Sequence, residues 1–292
     1  MAKRAHPGVA IVITPELSVR EAVRRLIRAY SARLHAAERK VRSGRSPAAL
    51  HALRMAVRRV RNALKCVRKH DVDARRIERA LAKVSRSMGV ARDWDIFVGI
   101  TLPAVLKRAE MKVPEIVYVA RRERDFAWMR LRKLLASPLY ATLHGALAAW
   151  LETPARCVNV TPGGKFACKR VRRLQQQLLA CARGLSRQSY ARQHDIRKLA
   201  RRLRYTVEGF TGYFTQARHT NRYLRYVKTV QDALGETHDA AQGVEKFRQL
   251  RAPAAVMIAA RRHLEITASE NEEKARHAVL RLRHRKYRLH SL

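Results

Sequence analysis

Residues 51–64 read HALRMAVRRVRNAL and residues 194–207 read HDIRKLARRLRYTV. Laid over one another, His51 falls on His194, Arg54 on Arg197, Arg58 and Arg59 on Arg201 and Arg202, and Arg61 on Arg204. Apolar positions agree as well, at Leu53/Ile196, Val60/Leu203 and Leu64/Val207. Downstream, Met88-Gly-Val-Ala-Arg-Asp93 corresponds to Leu234-Gly-Glu-Thr-His-Asp239 at nearly the same distance. Self-similarity of this kind is the signature of a duplicated structural unit, and it predicts an all-α fold of two antiparallel helical bundles related by an internal pseudo-twofold repeat.

The spacing also says where the basic side chains go. A helix turns about 100° per residue, so His51, Arg54, Arg58, Arg61, Lys65 and Arg68 share one arc of about 100°. Leu53, Val57, Val60, Leu64 and Val67 form a second stripe centred about 110° away. A solvated face would lie opposite the core stripe. A row beside it lines the groove where the helix meets its neighbour. The second copy repeats this with His194, Arg197, Arg201 and Arg204 beside Ile196, Ala200, Leu203, Val207 and Phe210. Steps of three and four residues separate the cations by about 5 Å along the axis, a ladder suited to a linear polyanion.

Outward from the repeat, helical periodicity covers nearly everything beyond residue 17, and only Val9 to Ile13 looks strand-like. Ser18-Val-Arg-Glu21 is a capping box that starts a helix running to about Arg42. Ser46-Pro47 opens the next, to about His70, and Asp73 is expected to cap a third that ends near Gly89. Further helices are expected at roughly 93–110, 115–136 and 138–152. The densest turn chemistry, Thr153-Pro through Thr161-Pro-Gly-Gly164, then divides the chain near its middle. Helices follow at roughly 165–185, 189–216, 219–234, 239–250 and from about Pro253. The division is therefore an N-terminal extension, 1–17, a first bundle, 18–152, and a second, 165–292.

Composition points to the partner. Lys plus Arg number 63 against 23 Asp plus Glu, a formal charge of +40 over 292 residues, with 47% hydrophobic residues. The apolar content supports a core, so the charge is carried on a fold. Such a chain repels itself unless a polyanion neutralises it. Arginine outnumbers lysine, and its planar fork grips phosphate oxygens bidentately. Cys66, Cys157, Cys168 and Cys181 show no CxxC spacing, so neither a zinc site nor a disulfide framework is expected, and a reducing compartment fits. The apolar run near the N-terminus is too short for a signal core or membrane span. The expectation is a cytoplasmic protein without membrane insertion, metal or cofactor.

HALRMAVRRVR, GVARDWD, HDIRKLARRLRY and VQDALGETHD, in this order across about residues 18–290, resemble the conserved histidine α-helical domain family, abbreviated CHAD. The resemblance implies two repeated helical bundles forming one domain, with histidines and basic residues converging on a central positive surface that binds inorganic polyphosphate. It implies a binding role for His51, Arg54, Arg58, Arg61, His194, Arg197, Arg201 and Arg204. Lys65 and Lys198 extend the two rows by position. Arg24, Arg28, Lys169 and Arg173, on the first helix of each half, are further candidates for the same groove. Association with polyphosphate granules in the cytoplasm follows as an expectation.

Two other classes compete. A nucleic-acid binder would carry the same charge, but aromatics make up only 6%, and no zinc-finger, RNP-like or helix-turn-helix pattern appears. An enzyme would use His238 and Asp239 with Asp93 and Asp95 around a metal for phosphoester hydrolysis. The repeat sets His238 against Arg92, which cannot replace a histidine ligand, so Asp93 and Asp239 are expected to cap or brace helices and no catalysis is expected. Phosphate beside His51 or His194 would raise the imidazole pKa and favour its doubly protonated donor form.

Overall fold

The computed structural model describes residues 13–14, 16–153, 163–214, 216–284 and 289. These residues are overwhelmingly helical. The expected extension at 1–17, including the strand-like Val9 to Ile13, lies largely outside them; Ile13 is described and buried. Cys157, most of the mid-chain turn segment and residues 285–288 also lie outside.

The first helix, α1 (Val19–Ser43), starts where the capping box places it, with Ser18 Oγ accepting from Glu21 N–H at 3.2 Å. Helix α2 (Pro47–Val67) has proline in its first turn and Ser46 Oγ accepting from Ala49 N–H at 3.1 Å. Caps of this kind contribute about 1 kcal/mol each. Helix α3 (Val72–Ile96) is capped by Asp71, through a bond from Ala74 N–H at 2.9 Å, and not by Asp73. Asp71 also receives the indole N–H of Trp150 at 2.9 Å and faces Arg20 at 3.3 Å. One carboxylate thereby ties three helices together. Asp73 is an exposed first-turn residue opposite Arg76.

The expected stop at Gly89 is absent. α3 continues through it and leads, by a π-helical turn at Phe97–Thr101, into α4 (Leu102–Ala109). Pro103 removes a backbone donor just where the wide turn falls, and a wider turn absorbs that loss without a break. Helices α5 (Pro114–Leu135) and α6 (Pro138–Glu152) complete the first half. The second contains α7 (Gly163–Cys181), α8 (Tyr190–Gly209), α9 (Ala217–Gln249) and α10 (Ala254–Arg283). The two helices expected at 219–234 and 239–250 are one, since α9 also passes through Gly235 without a break.

One apolar cluster runs through both halves, from Leu26, Leu53 and Trp128 to Leu203, Tyr223 and Phe247. α2 and α8, the helices of the repeat, pack on each other at its centre. Their crossing is tied by Asn62 Nδ2 donating to Thr206 Oγ1 at 3.2 Å and by Arg59 paired with Glu208 at 3.0 Å. α10 lies along α9 and also contacts α4 of the first half. Among the described residues no single helix is long and apolar enough to cross a membrane.

Candidate anion-binding site

The predicted apolar stripes are buried at Leu53, Val57, Val60 and Leu64 on α2, with Val67 half-buried at its end, and at Ile196, Ala200, Leu203, Val207 and Phe210 along and just after α8. Because each basic row flanks its stripe, burying the stripes turns both rows toward the place where α2 and α8 meet. Two cavities open there. The inner one, about 450 Å³, takes His51, Arg54, Arg58 and Arg61 from α2 and His194, Arg197 and Arg201 from α8. Its remaining walls come from α3, with Arg86, Gly89, Arg92 and Asp93, and from α9, with His238 and Asp239. The outer one, about 370 Å³, is lined by Lys65, Lys198, Arg202 and Tyr205 together with the same Arg58, Arg61 and Arg201. Three arginines therefore face both.

Glycine in the middle of two long helices costs roughly 0.5–1 kcal/mol relative to alanine, and the site explains both positions. A Cβ on Gly89 would lie 3.0 Å from Nη1 of Arg54, and one on Gly235 would lie 3.2 Å from Nε of Arg197. Each glycine makes room for the guanidinium of the matching arginine. Arg54 then donates to the Met88 carbonyl at 3.3 Å and sits 3.8 Å from Asp93. Arg197 sits 4.0 Å from Asp239. Asp93 and Asp239 are thus counter-charges within helices, not caps. Burial pushes both carboxyls above their ordinary value, against the pull of the neighbouring arginines. Asp95 is buried and turned to α5, where it accepts from the indole of Trp128 at 2.9 Å.

The cations outnumber these two acids, and their mutual repulsion is legible in the titrating groups. Burial first, and then the facing Arg201 and Arg54, lower the pKa of Arg58. Burial, with Arg197 and Arg54, does the same to Arg201. A guanidinium stays protonated at neutral pH regardless, so these are buried charges whose neighbouring cations add to the cost of burial. The histidines respond by staying neutral. Burial and then Lys198 and Arg197 push His194 down to about 4. Burial and His194 push His238 down to about 3. His51 is lowered too, by burial and Arg92. The doubly protonated form expected beside phosphate is therefore disfavoured in the free cavity.

Not every predicted residue reaches the cavities. Arg204, the match of Arg61, is buried, lies 3.3 Å from Glu208 and covers the Tyr205 ring at 5.1 Å. It lines neither space. Arg24 and Arg28 both donate to the Leu151 carbonyl, Arg28 at 3.1 Å, so they close the C-terminal end of α6 instead of lining the groove. Lys169 and Arg173 are exposed on α7 and line neither cavity, though Arg173 and Arg170 lie near enough to lower the pKa of Arg202 after its burial. Arg61 and Lys65 on α2 and Arg68 just after it surround the buried Glu78, at 2.9, 3.6 and 2.9 Å.

Several lining groups are not among the residues expected from the sequence. Arg86 and Arg92 belong to a face of α3 that includes Ala82, Gly89, Asp93 and Ile96. Its spacing is helical, but an assumed break at Gly89 hides it. In sequence, His238 beside Asp239 suggests only a metal ligand, and among the described residues no three His, Cys, Asp or Glu side chains are grouped to hold a metal.

Comparison with known proteins places this geometry. The model of the CHAD domain matches residues 25–248. The crystal structure of the CHAD domain from the plant Ricinus communis superposes with a TM-score of 0.83 at 23% identity, covering 100% of both chains. PptA from Streptomyces chartreusis superposes with a TM-score of 0.61 at 17% identity over 91% of this chain and 99% of that one. No curated protein sequence matches the chain. At such identities the structures speak for the fold, and the family model spans most of the sequence: the chain belongs to the CHAD domain family.

Proposed function

We propose that this protein binds inorganic polyphosphate in the joined cavities between α2 and α8, and that it does so without catalysis. The observation that carries the reading is the sharing of Arg58, Arg61 and Arg201 between the two spaces. A chain of phosphates passing from one to the other would meet a cation at each step. Arginine left short of counter-charge is a site prepared for an anion. The pocket is walled by four helices and lined largely by Arg, Lys and His, which suits a thin, flexible polyanion with neither bases to stack nor grooves to read better than a stiff duplex.

We read residues 18–152 and 165–292 as two bundles of one domain, duplicated and related by an approximate twofold axis. The matched sets Arg54–Gly89–Asp93 and Arg197–Gly235–Asp239 support this. In cells the protein would be cytoplasmic and gathered on polyphosphate granules. The deciding experiment is a competition titration of long-chain polyphosphate against duplex DNA and single-stranded RNA at about 150 mM salt. Polyphosphate should win by a wide margin and weaken steeply as salt rises. Equal affinity for DNA would sink the assignment in favour of nucleic acid. Fluorescently tagged protein should mark the granules, and diffuse protein in granule-bearing cells would count against the cellular part.

A further inference from the structure

The repeat changes residue type at a position on the wall of the inner cavity where both copies line it. Where the first half has Arg92, the second has His238, whose ring lies over that of His194 with centroids 3.9 Å apart and a 34° tilt. Nδ1 of His194 is buried and has no hydrogen-bond partner among the described residues. Two rings this close resist both becoming doubly protonated imidazolium without an anion beside them, since like charges at that distance repel. The groups facing them are mostly cationic. α8 supplies Arg197, Arg201 and Lys198, with Asp195 paired to Lys198 at 2.9 Å. α2 brings His51, Arg54 and Arg58, α3 brings Arg86, Arg92 and Asp93, and α9 itself carries Asp239.

We propose that His238 is a further phosphate-binding residue, acting with His194 as a clamp that grips the polyanion in its protonated form, so that ligand and protons enter the inner cavity together. The proposal rests on the polyphosphate reading above. A neutral imidazole has one donor and one acceptor nitrogen, and the acceptor repels a phosphate oxygen; protonation makes both nitrogens donors. The free protein keeps the pair neutral because burial, and then the surrounding cations, disfavour the charged ring. A phosphate chain in the cavity reverses the local field and raises both rings. The sign follows: the complex holds protons that the free protein does not, so affinity must rise as pH falls. Arg92 and its neighbours supply grip that is constant with pH, and the histidine pair supplies the variable part.

The test uses the whole chain, long-chain inorganic polyphosphate and calorimetry in buffers of different ionisation heat, from about pH 8 to about pH 6. Wild-type affinity should climb on acidification, by up to about tenfold per pH unit for each proton taken up, and the buffers should reveal that uptake. His238→Gln should lower the uptake by about one proton and flatten the slope. His238→Arg, which copies the first half, should bind tightly with the same flattened slope. Asp93 and Asp239 are unchanged in both variants, so any uptake of theirs remains in each. A His238 variant that binds with the wild-type slope and uptake overturns the clamp and leaves the polyphosphate reading standing. Absence of wild-type binding across the whole range overturns that reading itself.

Discussion

The two copies of HxxRxxxRRxR begin alike and end differently. At their N-terminal ends, Arg54 and Arg197 each occupy a notch made by a glycine and face an aspartate. At their C-terminal ends, Arg61 opens onto both cavities with Glu78 behind it, whereas Arg204 is folded back on Glu208 and Tyr205. What separates them is the position of one acid. Glu208 lies four residues after Arg204 on the same helix face and draws it in. The first copy has Leu64 and Lys65 in the corresponding stretch, and its acid, Glu78, comes from α3. A repeated motif therefore does not guarantee repeated roles, because a carboxylate on the same helix face can draw an arginine away from the cavity its counterpart lines.

The strongest way to break this comparison is to reverse charge at the ends that agree. Arg54→Glu with Arg58→Glu, and separately Arg197→Glu with Arg201→Glu, should each lower polyphosphate affinity by at least about a hundredfold, since every pair removes two charge-assisted contacts and adds two repulsive ones. The two losses should be similar. Binding isotherms in which one pair abolishes binding and the other leaves it near wild type would show that the rows do not share a ligand.

A smaller effect should appear at the ends that disagree. Arg61→Ala is expected to weaken polyphosphate binding about tenfold. Arg204→Ala should change binding by no more than about twofold while reducing stability by about 1–3 kcal/mol, because it removes a buried partner of Glu208. Denaturant unfolding and binding measured on the same two proteins would reveal the split. Equal binding losses would put Arg204 back among the ligand residues.

Much of the fold could be read directly from the residues. Ser18 and Ser46 cap where their spacing says, and the stripes from Leu53 and Ile196 are buried as their periods require. The failures have two physical sources. Gly89 and Gly235 look like stops because glycine disfavours helix, and the reason to tolerate them is a guanidinium that arrives from another helix. Arg24 and Arg28 sit on the first helix with a plausible phase, yet the free carbonyl at the end of α6 claims them. Neither partner is near in sequence, so no local pattern carries the information. The same holds for Arg92 and His238, whose role depends on which helix faces them.

Gly89→Ala and Gly235→Ala sharpen the agreement between the two N-terminal ends. The methyl should favour the helix by up to about 1 kcal/mol while displacing the tip of Arg54 or Arg197, which is flexible enough to yield. Thermal unfolding should then occur at the same or a higher temperature, and polyphosphate affinity should fall severalfold in both variants. A loss of stability in either would mean that its glycine serves the packing of the helices and not the placement of the arginine.

The smallest expected effect is none at all, and it concerns the one place where the second half could differ in chemistry as well as in shape. His238 beside Asp239 invites a phosphoester-hydrolysing reading that Arg92 beside Asp93 does not. Metal-assisted phosphoryl chemistry needs carboxylates free to hold cations around the reacting phosphate. Here Asp239 faces Arg197, Asp93 faces Arg54, and Asp95 is bonded to Trp128 on another helix. The acids of the cavity are thus engaged in positioning arginines, and neither half should hydrolyse phosphoesters. Purified protein incubated with polyphosphate and magnesium or manganese is expected to release no orthophosphate above background, with or without Asp239→Ala. Metal-dependent release that Asp239→Ala abolishes while binding persists would show that the second half is a catalytic centre and the first is not.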